Sequence, residues 1–257
     1  MENSLKIIPL GGLGEIGKNM MVVEHGDDIV IVDVGLMFPS EDMLGVDLVI
    51  PDFSYVIENK DKVRGIAITH GHEDHVGALP FLLRQLDIPV YAPRLAHGLI
   101  SLKLRDNKRL NPDNMHIVDS GEIVEMGDMS VEFFRVCHSI PDAMGLMIRT
   151  PSGSVIHTGD FKFDHTPVDG KPSDFGKLAE YGKEGVLLLM SDSTYVEIPG
   201  FTPSEQVVSE TFDRIMANAP GRVIVATFAS LVSRVQQVID AADLDHPYPS
   251  SPTGVAF

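Results

Sequence analysis

An α/β fold is predicted for this 257-residue chain by three observations. Short β-rich runs fill the first half, strand and helix patterns alternate further on, and 44% of the residues are apolar, enough for a sizeable core without covalent staples. The length suits one large domain or two small ones. Leu5 to Leu10, Asn19 to Glu24 and Ile29 to Asp33 read as antiparallel strands, punctuated by Gly11, Gly12, Gly14, Gly17 and the turn His25-Gly26-Asp27-Asp28. Arg64 to Thr69 is another strand. A helix is predicted from about His75 to Leu86, where Val76, Leu79, Leu82, Leu83 and Leu86 recur at helical spacing.

Leu95 to Leu104 reads as a helix, and Met115 to Val118, Glu122 to Glu125, Ser130 to Val136, Leu146 to Thr150 and Val155 to Thr158 read as strands. The continuous apolar run Gly185 to Met190 predicts a buried strand. Thr202 as N-cap and Pro203 at the first helical position open a helix to Met216, and Val223 to Thr227 and Ser230 to Ala242 repeat strand then helix. Asp243 to Phe257, rich in Pro, Ser, Thr and Gly and without either period, is expected to be unstructured.

The 37 acidic and 20 basic side chains leave a net charge of −17, which argues against a surface devoted wholly to nucleic acid but allows a local basic groove. The same charge concentrates cations. One cysteine, Cys137, excludes an internal disulfide, and the chain opens without a signal-peptide pattern, so a cytoplasmic location is expected. The longest apolar run, Val186 to Met190, is far short of the ~20 residues that span a membrane.

Gly12-Leu13-Gly14-Glu15-Ile16-Gly17 matches a dinucleotide fingerprint, and Asp33 falls near the spacing of a ribose-binding acid. That motif needs a helix after its last glycine to hold pyrophosphate, whereas Asn19 to Val32 reads as two strands around a turn. The glycines are therefore expected to serve tight turns and close approach.

The chemistry-bearing segment is Thr69-His70-Gly71-His72-Glu73-Asp74-His75, where a strand gives way to a helix. His70, His72, Asp74 and His75 are potential ligands that a bend at Gly71 can aim together, with Glu73 directed to solvent. Crowding several titratable groups without a metal would cost several kcal/mol. Imidazole and carboxylate without thiolate suit zinc, manganese or iron. His138 and Asp160 follow later strands and complete a set too large for one tetrahedral ion. Two ions ~3.5–4 Å apart, sharing a carboxylate, can hold a bridging hydroxide.

This HxHxDH pattern with a later His and a strand-end Asp resembles the metallo-β-lactamase superfamily. Pro9 to Asn19, Thr69 to His75, His138-Ser139-Ile140-Pro141-Asp142 and His157-Thr158-Gly159-Asp160-Phe161-Lys162 narrow the likeness to the ribonuclease J family over about residues 5 to 242. The resemblance implies an αββα sandwich, two zinc ions (manganese in some members), and RNA phosphodiester hydrolysis, both 5′-3′ exonucleolytic and endonucleolytic, by a metal-bridging hydroxide. It implies that His70, His72 and His138 hold one ion, Asp74 and His75 the other, and that Asp160 bridges them. Asp74, His75 and Asp160 are then the catalytic set. It implies an orienting role for Asp33, whose alternative is a turn-capping carboxylate. Asp192 in Ser191-Asp192-Ser193-Thr194 resembles the first acidic motif of the β-CASP nucleases and is otherwise an ordinary strand-end acid. Ser230 is a phosphate-binding residue in one reading and a helix cap in the other.

The family pattern divides the chain into residues 1–200, a catalytic domain lacking its C-terminal return, residues 201–242, the beginning of a β-CASP domain, and the tail 243–257, which resembles nothing in the family. The resemblance implies that this return supplies a last metal histidine, so the second ion site is expected to be weakened, and His246 is not expected to replace it. The implied partner is RNA, preferably 5′-monophosphorylated, with a homo-oligomer for the full-length family. The alternatives are an inactive metal-binding fragment and a small-molecule hydrolase of lactonase or thioesterase type. Covalent catalysis finds no support: adjacent Cys137 and His138 point to opposite strand faces, and there is no GxSxG elbow. Cys137 is expected in the core, and His157, one or two residues from the site, reads either as a packed or hydrogen-bonding strand residue or as a residue with a role there.

Overall fold

The structure, a computed structural model, describes residues 4–105 and 112–245. Six strands, β1 (Leu5–Gly11), β2 (Met20–His25), β3 (Asp28–Val32), β4 (Val63–Ala67), β5 (Val90–Pro93) and β6 (Met115–Val118), form one sheet in sequence order. The first three pair antiparallel as expected, and β3 to β6 run parallel. The second sheet contains β7 (Ile123–Met126), β8 (Met129–Arg135), β9 (Met144–Thr150), β10 (Gly153–His157) and β11 (Leu188–Met190), in the order β11-β10-β9-β8-β7. All its pairs are antiparallel except β10 with β11.

Strand alternation explains how the layers stack. Met20, Val22, Ile29 and Ile31 enter one core, while Met21, Val23, Val30 and Val32 enter another between the sheets, against Val131, Phe133, Leu146 and Ile148. The first core is covered by α1 (Ser54–Glu58), α2 (Glu73–Val76), α3 (Leu79–Leu82) and α4 (Arg94–Leu104), through residues such as Val56, Val76, Leu79 and Ile100. A third core packs Phe134, Met147 and Ile156 against Tyr181 of α5 (Phe175–Glu184). The result is the expected helix–sheet–sheet–helix sandwich, followed by α6 (Gln206–Asn218) and α7 (Val232–Asp245), which pack together. Among the described residues no helix is long and apolar enough to cross a membrane.

Several elements differ from the sequence reading. The helix expected from His75 to Leu86 is the separate pair α2 and α3. Its ladder is interrupted because the Asp74 carbonyl accepts the Asn19 N–H and Ala78 N–H donates to Val34. Gly185 to Met190 is not buried: only Leu188–Met190 pairs, at a sheet edge, leaving Leu187 61% and Leu189 58% exposed. Val223 to Thr227 forms no strand, and α6 starts at Gln206 because Asp164 takes the Glu205 N–H and Ser204 bonds Thr166. Helix α7 runs on to Asp245, three residues into the stretch expected to be unstructured. The tail beyond it, with His246, lies outside the described residues. Strand β5 and helices α1 and α5 had no distinct pattern.

Glu132, on the outer face of β8, shows how this fold handles a buried charge. Its side chain is 4% exposed and accepts bonds from Arg149 and Lys177, both at 2.8 Å. Burial opposes ionisation, but these cationic donors outweigh it and hold the carboxyl below its ordinary range. The ionised group therefore stabilises the fold above its unfolded pKa of about 4.3, and this is lost as pH falls through the lower folded value. Glu132→Gln is expected to lower the melting temperature at neutral pH and to flatten its acid decline. A parent-like acid limb in pH-dependent melting would contradict this.

Candidate metal centre

The segment after β4 reaches the cluster through a close crossing. A Cβ at Gly71 would lie 2.8 Å from Leu99 Cδ1 and 3.2 Å from Ala96 Cα, so glycine lets His70 and His72 run against α4. His72, in extended backbone, precedes α2, and Asp74 and His75 occupy its first turn. Asp160 arrives just after β10, where Gly159 has φ 57° and a Cβ would meet the Met144 carbonyl at 2.8 Å. His138 follows β8, beside the bridge that joins Cys137 to Lys162.

Five of the six expected ligands, His70, His72, His75, His138 and Asp160, converge. His72 Nδ1 lies 3.0 Å from His70 Nε2 and 3.2 Å from His138 Nε2. Asp160 spans the cluster, with Oδ1 3.3 Å from His75 Nε2 and Oδ2 3.7 Å from His138 Nε2. Two groups have ligand atoms mutually within 4.8 Å: His70 with His72 and His138, and His70 with His75 and Asp160. Asp74 stands at the margin, its Oδ2 3.6 Å from His75 Nε2.

Asp33 is buried and adopts φ 57°. Its carboxylate accepts the Thr69 N–H and hydroxyl, each at 2.8 Å, and lies 2.7 Å from His75 Nδ1. Such a bond places a His75 proton on Nδ1 and turns Nε2 toward Asp160.

Charge inside the cluster divides in two. Burial, reinforced by neighbouring imidazoles, pushes His70 well below its usual range; burial also lowers His72 and takes His138 to about 4. Burial opposes charge on His75, but Asp33 and Asp160 outweigh it and raise His75 well above its usual value. Burial would raise Asp160, yet His75, His138 and His72 hold it at about 2. Three neutral imidazoles thus sit beside carboxylates. Among the cleft-lining residues there is no lysine or arginine to balance those acids. This donor set fits divalent metal.

Asn19 was not singled out from the sequence. Its Nδ2 lies 3.1 Å from His75 Nε2 and donates to the Asp74 carbonyl at 3.2 Å, while its main chain joins Asp74 and Gly35. The only signal was its place after the glycine run. That run takes positive φ at Gly12, Gly14, Gly17 and Lys18 and enters β2 rather than a helix, so it clasps the ligand segment instead of cradling pyrophosphate.

The remaining expectations separate. Asp192 makes no hydrogen bond to the cluster; its Oδ1 accepts the Thr194 N–H at 2.9 Å, although its charge reaches His138. Ser230 is exposed, and its main chain, not its hydroxyl, faces His72. His157 Nδ1 accepts the Gly159 N–H, and Cys137 is buried. Glu73 is bonded to Lys103 rather than free in solvent. An open cleft of ≈ 1040 Å³ runs from Asp74, His75 and Asp160 between the glycine loop and Ser191 to Ile198.

A family model described as the metallo-beta-lactamase superfamily matches residues 13–225. The chain is 51% identical over 241 residues to a ribonuclease J of Synechocystis, covering 93% of this chain and 38% of that protein. It is 49% identical to ribonuclease J 1 of Streptococcus pyogenes, covering 93% of this chain and 43% of the relative, and 47% identical to ribonuclease J of Thermus thermophilus, covering 94% and 44%. The chain thus spans about two fifths of the length of these curated relatives. A crystal structure of an Enterococcus faecalis protein of unknown function superposes with a TM-score of 0.65 at 20% identity, over 92% of this chain and 63% of that one, a likeness of fold.

Proposed function

The chain belongs to the metallo-β-lactamase superfamily, and from that premise we propose that it carries the catalytic centre of a metal-dependent ribonuclease of the ribonuclease J type. The observation that carries this reading is the convergence of His70, His72, His75, His138 and Asp160 into two overlapping groups, with His75, Asp160 and the neighbouring Asp74 lining the cleft. In this reading residues 1–200 form the catalytic domain and residues 201–242 begin a β-CASP domain. Zinc fits the nitrogen-rich donor set, and manganese is the alternative. Two such ions, when bound, supply Lewis-acid polarisation of a phosphodiester and a water nucleophile available at neutral pH.

The protein's own part is orientation and proton placement. Asp33 holds the His75 Nδ1 proton, so Nε2 faces the cleft; Asn19 fixes the Asp74 main chain; Asp160 reaches both halves of the cluster. Asp74 Oδ2, at the open margin, is placed to accept a proton from an attacking water. The substrate in this reading is RNA, preferably with a 5′-monophosphate, cleaved exo- or endonucleolytically in the cytoplasm by a homo-oligomer.

With no lysine or arginine among the cleft-lining residues, this chain contributes little phosphate positioning there. Its hydrolysis of 5′-monophosphorylated RNA is therefore expected to need zinc or manganese, to stop in chelator, and to run far slower than the same chain continued with the downstream region of a ribonuclease J. Turnover of lactones or thioesters with none of RNA in either protein would overturn the reading. Equal rates from both would refute the positioning argument.

A further inference from the structure

Two of the expected ligands, His138 and Asp160, sit beside the bridge that joins Cys137 to Lys162, and α6 and α7 reach these loops from the outer side. His138 is followed by Ser139, whose carbonyl accepts the Ser233 hydroxyl of α7 at 2.9 Å. Asp160 is followed two residues on by Lys162, whose Nζ lies 2.8 Å from Glu205 Oε1 and 3.5 Å from Asp164 Oδ2. Glu205 Oε2 accepts Arg234 of α7 at 2.7 Å, the Glu205 carbonyl accepts Gln237 Nε2 at 2.9 Å, and its N–H donates to Asp164 at 2.9 Å. The turn that opens α7 brings the Ser230 main chain to His72. One carboxylate thus joins α6, α7 and the Asp160 loop, and through α7 it reaches the surroundings of His138 and His72.

We propose that Glu205 is a positioning residue for the metal cluster, acting through Lys162 and Arg234 to hold the Asp160 loop and α7 in register. The proposal rests on the metal-binding reading above. The three charged side chains are only 19–26% exposed, so this network is better sheltered than a surface ion pair. At the N-terminus of α6 the carboxylate also meets the positive end of the helix dipole. Removing its charge leaves Lys162 and Arg234 facing each other without a shared counter-ion. The Asp160 loop and the start of α7 then lose the charged part of their common anchor and keep only the main-chain bonds of residue 205 to Asp164 and Gln237.

The test uses this chain and cobalt(II) alone, followed by calorimetry and by the visible absorption of the bound ion, which reports ligand geometry independently of activity. Glu205→Gln keeps the side-chain volume and is expected to weaken cobalt binding by about 10-fold or more, in the range seen for partners that orient ligands, and to shift the absorption. Glu210→Gln, on an exposed position of α6 whose carboxylate accepts a bond from Gln206, is the control and should match the parent. Parent-like affinity and absorption in folded Glu205→Gln would overturn the proposal while leaving the metal site intact. If Glu205→Gln does not fold, Arg234→Gln makes the same comparison, and parent-like behaviour there overturns it equally. A parent chain that takes up no cobalt would remove the metal reading and this proposal with it.

Discussion

His70→Ala is expected to abolish metal uptake by this chain under conditions in which the parent saturates. His70 belongs to both groups of converging ligand atoms, and its imidazole is 1% exposed in a neutral, ligand-ready state. Losing it removes a donor rather than a supporting contact, so affinity should fall by more than the about 10- to 100-fold typical of outer partners. Titration of purified protein with zinc, read by calorimetry, measures this, with circular dichroism showing that the sandwich persists. Undiminished affinity in the variant would exclude His70 from the site. The same change placed in a complete ribonuclease J should remove its hydrolysis of RNA.

The second large effect is on stability, at Gly35→Ala. A Cβ there would lie 1.5 Å from the Asp74 carbonyl oxygen and 2.9 Å from the Asn19 nitrogen, both main-chain atoms. The chain cannot relax by a rotamer change, because Gly35 N–H bonds Asn19, Leu36 N–H bonds Glu73, and Val34 N–H bonds His75. Overpacking usually costs about 1–3 kcal/mol, and this backbone clash belongs at or above the upper end. Chemical denaturation should show that loss together with weakened metal binding, since the displaced segment carries Asp74 and His75. Gly98→Ala is the comparison: this helical glycine has open space around its Cβ, and the change should stabilise the protein by about 0.4–1 kcal/mol. Equal stabilities for the two variants would refute the packing argument.

The candidate ligands were legible because their chemistry is local. HxHxDH puts donors within a few residues of a strand end, and a single bend suffices to aim them. Asn19 carried no such mark. Its amide matters because the loop before β2 crosses α2, a contact between residues 55 and 56 apart along the chain. Glu205 was equally silent: it read as part of a helix start, and its importance comes from Lys162 and Arg234 arriving from different elements.

Amphipathic and two-sided patterns in the chain were sufficient for β2, β3, β8 and α4, whose hydrophobic spacing has one burial solution, and for the class of chemistry at His70 to His75. Apolar character alone misassigned Gly185 to Met190, because burial depends on whether a neighbour covers the strand, and β11 lies at a sheet edge. Helical spacing likewise missed the break at Gly77-Ala78, where the carbonyl and N–H needed to continue the ladder bond Asn19 and Val34 instead. Periodicity reports which face of a segment seeks the core. Which distant backbone group takes each hydrogen bond, and so where His75, Asp160 and Asp33 meet, is settled only when the two sheets close on each other.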